Sequence, residues 1–280
     1  MQTPHKFMLG HAAAFIAWLA LFGSVGQLAG GSIKEAYELS ARGLTKESEQ
    51  EWRRLGADER NPAALREIHF GRAGNLLNVQ PRTPANIDRA AELYRGVVKG
   101  DPDDEIGVAG AYFLIRIEQF HRGPTPDLER IAAEFLALHT GHPKRYFGQF
   151  ALLKHVTLRL WAGTTTAQRQ GEFSRLETYA KDFTRSELAV IYHFLMSDGY
   201  LIQLSDPVAA LRHQRARDGR LMVKEDTSAD LILKTAELSR ETGDLAETAA
   251  HYREFLRRFP TNARAWLVRQ RLNELVVINK

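Results

Sequence analysis

Between residues 229 and 262 the apolar positions come in two bursts. Ile232, Leu233, Ala236 and Leu238 form the first, and Leu245, Ala249, Tyr252, Phe255, Leu256 and Phe259 the second. Both follow the 3.6-residue period of a helix with one buried face. Gly243 and Asp244 stand between them. Glycine ends a helix in the left-handed region at no steric cost, and an aspartate caps the next helix. Glu247, three residues on, predicts a reciprocal capping box, and Pro260 stops the second helix.

The same phrasing recurs upstream. Ala90, Tyr94 and Val97 precede Pro102 with the spacing that Thr248, Tyr252 and Phe255 have before Pro260, and Ile131, Phe135 and Leu138 precede Pro143 in the same phase. Polar residue–proline pairs punctuate the chain at Asn61-Pro62, Thr83-Pro84, Asp101-Pro102, Thr125-Pro126 and Asp206-Pro207. The polar side chain accepts a backbone N–H, and proline fits the first helical position, so each pair predicts a helix start. The pattern predicts helices over 63–77, 84–99, 103–120, 128–139, 145–161, 168–183, 186–204, 206–218, 229–242 and 263–277, the last as a terminal cap carrying Trp266. Residues 215–228 read as a charged loop, and the sparse apolar residues of 32–60 as a linker or a loosely packed helix. No strand-like alternation of useful length occurs, so the chain is expected to be all-α.

The stretch 229–262 resembles a tetratricopeptide repeat, a helical hairpin of about 34 residues. With Ala229 counted first, Ala236, Gly243, Tyr252 and Pro260 fall where the family carries its small residue, its turn glycine, its tyrosine and its proline. Ser239, Thr248 and Phe255 depart from the family's usual Tyr, Ala and Ala. The resemblance implies a right-handed α–α superhelix of about five hairpins over 61–280, each stacked on the next. It also implies that the first helices line a concave face. Carried onto this chain, that face includes Phe113 and Arg116 in one hairpin and Phe147, Phe150 and Lys154 in the next. An aromatic floor with basic edges suits an extended peptide or an acidic carboxy terminus. Most of the other rings in the middle first helices, such as Tyr112, Tyr146 and Tyr192, are expected in the core.

Composition narrows the classes. The 280 residues are 44% hydrophobic, enough for a core, and the formal net charge is only +4, too even to argue for nucleic acid. The absence of cysteine excludes disulfides, thiolate metal sites and cysteine nucleophiles. At the amino terminus, Lys6 precedes a run over 7–33 with no Asp, Glu, Lys or Arg. A positive start, an apolar stretch and then small residues is the layout of a secretory signal. Residues 1–31 therefore read as a signal peptide, with cleavage after Gly26 or near Gly30, or as an uncleaved inner-membrane anchor. The run exceeds the roughly 20 residues a span needs, but Gly and Gln after Phe22 weaken its last third and favour cleavage. Either reading exports the rest, and the repeat style points to a bacterial envelope.

Candidate chemistry is thin. Ten histidines invite a metal, but His139 and His142 sit at an expected helix end, and no HExxH or paired Glu-x-x-His occurs. Gly107-Val-Ala-Gly110 and Gly71-Arg-Ala-Gly74 follow no strand and read as close helix packing rather than phosphate loops. Asp103-Asp104 reads as a helix start. The basic cluster Arg212, His213, Arg215, Arg217 and Arg220 lacks interleaved aromatics, and its nearest counterweights in sequence are Asp218, Glu225 and Asp226. The expectation is a non-enzymatic, exported scaffold with no metal and no cofactor, binding a protein or peptide partner in the cell envelope and not nucleic acid. The alternative is a helical module associated with peptidoglycan or polysaccharide processing, or a membrane-anchored assembly factor.

Overall fold

The structure, a computed structural model, describes residues 32–163, 165–217 and 225–278. The expected signal or anchor over 1–31 lies outside the described residues, as does Arg220 of the basic cluster. Among the described residues there are thirteen α-helices and no strand: α1 Ile33–Ala41, α2 Thr45–Asp58, α3 Pro62–Asn78, α4 Pro84–Gly100, α5 Glu105–His121, α6 Leu128–Gly141, α7 Tyr146–Arg159, α8 Thr166–Glu177, α9 Ser186–Gly199, α10 Pro207–Ala216, α11 Glu225–Glu241, α12 Leu245–Arg258 and α13 Ala265–Ile278. A 3₁₀ turn, Thr178–Asp182, follows α8, and a π turn, Tyr200–Leu204, follows α9. None of the described helices is long and apolar enough to cross a membrane.

The chain divides into two compact units, Met1–Gly148 and Gln149–Lys280, and the division falls within α7. In the first unit each helix from α1 to α6 packs on the next. In the second, α9 packs on α10, α10 on α11, α11 on α12 and α12 on α13. This is the consecutive packing of helical repeat proteins, in which each hairpin buries its apolar face on its neighbours.

Three of the five polar–proline pairs start helices as expected. Asn61 accepts from the N–H groups of Ala63 and Ala64, Thr83 from Asn86, and Asp206 from Ala209. The other two do not. Asp101 ends α4, and its carboxylate instead accepts from the N–H of Asp103; α5 starts three residues later, capped by Asp104 through the N–H of Gly107 at 2.7 Å. Asp127, not Thr125, caps α6. At α6 an aspartate takes the cap in place of a threonine, whereas at α5 the cap passes from one aspartate to another, because Asp101 is held in the turn that ends α4.

The phase-matched second helices bury the expected faces. Ala90, Tyr94 and Val97 of α4, Ile131 and Phe135 of α6, and Thr248, Tyr252 and Phe255 of α12 are all buried. Leu138 is only half-buried, and His139 beside it occupies the interior. Residues 32–60 are not a linker: α1 and α2 form a hairpin in which Ala36, Tyr37, Ser48, Trp52 and Leu55 are buried. The Tyr37 and Trp52 rings meet edge to face at 4.8 Å, and two large rings supply what the sparse aliphatic pattern did not advertise. Helix α11 begins at Glu225, inside the stretch read as loop.

The terminal hairpin shows how the local sequence dictates its turn. Gly243 has φ +83°, a conformation an L side chain resists. Asp244 accepts from the N–H of Glu247 at 3.0 Å. The return bond of the expected capping box is replaced. The Glu247 carboxylate takes Ser239 at 2.5 Å and Arg215 at 2.9 and 2.5 Å instead. Ser239, where the family carries Tyr, leaves room for that polar contact and is fully buried.

Candidate functional site

The five residues selected from the sequence divide between the two units: Phe113, Arg116 and Phe147 in the first, Phe150 and Lys154 in the second. Phe147 is 5% exposed and so is a core ring rather than a groove ring. It meets Tyr112 at 5.3 Å, Phe113 at 5.7 Å and Tyr146 at 5.3 Å. Phe113 is half-buried and stacks on Tyr94 at 5.3 Å, with Phe70 edge-on at 5.8 Å. The interior of the first unit is thus a chain of rings running from α3 and α4 through α5 to α6 and the start of α7. The register inferred from the family turned Phe147 outward; the aromatic packing turns it in. Arg116 is half-buried with its guanidinium 4.3 Å over the exposed Phe120 ring, and burial lowers its pKa against an opposing contribution from Tyr112. Lys154 is half-buried with its ammonium 5.4 Å from the half-buried Phe150 ring. Each cation therefore sits over an aromatic face that it partly desolvates.

Arg212 and Arg215 of the basic cluster at the end of α10 are spent on ion pairs, and their counterweights are distant in sequence. Arg212 pairs with Glu177, and Arg215 holds Asp244 at 3.1 Å as well as Glu247. Arg217 lies 4.9 Å over the Phe194 ring, whose other neighbour is Lys234 at 5.3 Å. Lys234 pairs in turn with Asp198. His213 is buried. These side chains tie α10 to α8, α9 and the terminal hairpin.

Two other histidines make structural contacts. His139 closes α6 with Nδ1 3.2 Å from the carbonyl of Gly148, and His142 lies 3.7 Å from Asp103. No group of three His, Cys, Asp or Glu side chains that could hold a metal occurs among the described residues.

One polar arrangement was not read from the sequence. The Glu177 carboxylate, at the end of α8, receives three donors on Oε1: the Tyr200 hydroxyl at 2.7 Å, His213 Nε2 at 2.9 Å and the Arg212 guanidinium. His213 Nδ1 lies 2.9 Å from His193 Nδ1 on α9. Tyr200 stacks on His213 at 5.6 Å, and Tyr192 meets His193 edge-on at 5.1 Å. The π turn after α9 places Tyr200 over this chain, and Ser205 closes the turn with φ +51°. Burial alone would raise the Glu177 pKa; hydrogen bonds from His213 and Tyr200 and the charges of His213 and Arg212 outweigh it and hold it at about 2. His193 is pushed below its ordinary value, by burial first and by His213 second, with Glu177 opposing. Burial, and then Glu177, raise the Tyr192 and Tyr200 hydroxyls.

No spacing motif announces this chain, because its members come from three elements. A usable signal was present nonetheless. His193 and His213 are equidistant from Gln203, at the end of the first of two predicted antiparallel helices, so a hairpin brings them face to face.

The fold and these contacts define an all-α protein built of consecutively packed helical hairpins. No protein-family model, curated protein or solved structure matches the chain.

Proposed function

We propose that this protein is an exported, non-enzymatic scaffold of tetratricopeptide type that binds a protein or peptide partner in the bacterial cell envelope. The observation that carries the reading is the terminal hairpin. Ala236 and Tyr252 are fully buried, and Gly243 makes the left-handed turn, at three of the positions on which the family resemblance rests. Hairpins of this kind present one helical face after another, and proteins so built work as binding surfaces. The Glu177–His213–His193 chain does not argue against a non-catalytic role. Its carboxylate oxygen is already occupied by three donors that hold α8, α9 and α10 together.

Lys154 over Phe150, and Arg116 over Phe120, are two places where cations and rings come together without full burial. An acidic or aromatic peptide segment suits such pairs. The test uses Lys154→Glu and Arg116→Glu, each checked first for unchanged thermal unfolding, followed by site-directed photo-crosslinking in intact cells from neighbouring positions. The expected result is one discrete adduct that the charge reversal abolishes. Adducts that persist in both variants would place the binding surface elsewhere. No protein adduct from any probe position, including the exposed Trp266, would reject the scaffold reading.

A further inference from the structure

The Nδ1 atoms of His193 and His213, 2.9 Å apart, share one hydrogen bond, so one of them carries a hydrogen and the other does not. His213 Nε2 faces the Glu177 carboxylate, an acceptor, and therefore carries a hydrogen whatever the state of the ring. If His213 is neutral, its Nδ1 is bare and His193 donates. If His213 is an imidazolium, its Nδ1 donates and His193 is neutral. The pair accommodates one positive charge with the bond intact in either direction, and Glu177 neutralises that charge. A second proton puts N–H groups on both facing nitrogens. The bond is then lost, and two like charges meet where one imidazole is buried.

We propose that the His193–His213 pair is a proton-operated latch between α9 and α10, closed with up to one proton on the pair and opened by the second. Among the described residues, charged and titratable groups reach the region of the pair from several elements. Glu177 comes from α8, and Tyr192 and Asp198 from α9. The π turn supplies Tyr200, α10 supplies Arg212 and Arg217, and α11 supplies Lys234. Glu177 is the anion in direct contact with the pair, and Arg212 and Tyr200 already share its Oε1. It can balance one added proton and not two. The two imidazoles thus titrate as a pair in two separated steps. The depressed His193 gives the matching sign. A folded pKa below the unfolded one contributes stability that is present above the ordinary 6.5 and lost as pH falls below it. Such a latch would loosen the α9–α10 hairpin on acidification, while Glu177 itself, held at about 2, stays ionised.

The experiment is a histidine proton NMR titration of the full chain, with thermal unfolding of the wild type and His193→Asn from about pH 7.5 to about pH 5, the range where histidine changes charge. Asn places an amide near the Nδ1 position and keeps the bond to His213 without a second charge. The expected titration has one of the two imidazoles protonating well below the other, with faster amide exchange in α9 and α10 over that lower step. The expected wild-type Tm falls by roughly 2–4 °C more than that of His193→Asn over the same range. Two independent steps near the ordinary histidine value, or equal Tm losses in both proteins, would overturn the proposal. So would micromolar zinc stabilising the wild type but not His193→Asn, since a metal rather than a proton would then fill the gap. If His193→Asn does not fold, the wild-type titration and exchange decide alone.

Discussion

A methyl group on Gly107 would stand 1.9 Å from the carbonyl oxygen of Asp101, a backbone atom that cannot swing aside. Gly107→Ala must therefore separate the start of α5 from the end of α4, and a loss of about 2–3 kcal/mol in denaturant unfolding is expected. Gly96 is the opposite case. It lies exposed inside α4, and a methyl there meets nothing within 4 Å. Gly96→Ala should gain roughly 0.5–1 kcal/mol from helix propensity alone. Equal effects at the two positions would show that the approach of Asp101 is not what fixes Gly107. Phe147 makes a third case. As a buried ring among Tyr112, Phe113 and Tyr146, its change to alanine should cost about 3–5 kcal/mol. A variant with unchanged melting would return Phe147 to the surface. At this scale the sequence was legible where burial follows periodicity, as at Tyr94 and Tyr252. It was not legible where a family register was carried over, because a ring's facing depends on which neighbours surround it. Tyr112, Phe113 and Tyr146 left Phe147 an interior place.

At the scale of elements, α10 carries ion pairs to two others, α8 and the terminal hairpin. Arg215 meets Glu247 through two parallel bonds, 2.9 and 2.5 Å, and reaches Asp244 as well, which fastens α10 to the turn of the terminal hairpin. The hydrogen bond from Arg215, acting against burial and helped by Ser239, holds the Glu247 carboxyl at about 2. Both side chains are partly in water, so the coupling measured by a double-mutant cycle of Arg215→Ala and Glu247→Ala should be only about 0.5–1 kcal/mol, falling as salt is raised. The pH dependence has a definite sign. Glu177 and Glu247 each drop from the ordinary 4.5 to about 2 in the folded chain, so their contribution is complete above 4.5 and disappears as pH falls toward 2. Chemical denaturation of Glu247→Gln should show a shallower acid slope than the wild type within that window and the same slope above it. Parallel slopes would mean that the pair is broken in solution. These ties also explain what the sequence hid. The counterweights of the basic cluster lie in α8 and at the start of α12, far from Asp218, Glu225 and Asp226, and only the fold brings them near. The α1–α2 hairpin was hidden for another reason. Tyr37 and Trp52 carry its core with few aliphatic residues, so a count of apolar positions ran low where apolar area did not.

For the molecule as a whole, export can be argued from how the amino-terminal run meets the folded body. Residues 7–33 contain no charged side chain, and α1 begins at Ile33, capped by Ser32, whose hydroxyl accepts from the Glu35 N–H at 3.0 Å. A cut after Gly26 would fall outside the described residues, ahead of the Ser32 cap and of Ala36, the first buried residue described in α1. Such a cut would leave every described helix in the chain. A reporter enzyme active only outside the cytoplasm, fused after Lys280, should be active, and intact-mass measurement of the exported chain should place its first residue near Gln27. A mass that includes Met1, with the protein recovered in the membrane fraction, would replace the cleaved signal by an anchor over 7–33 and tether the helical body to the inner membrane. Activity from a cytoplasmic reporter alone would reject export, and with it an envelope partner. The hairpins would still offer a binding surface, and the search for its occupant would move to the cytoplasm.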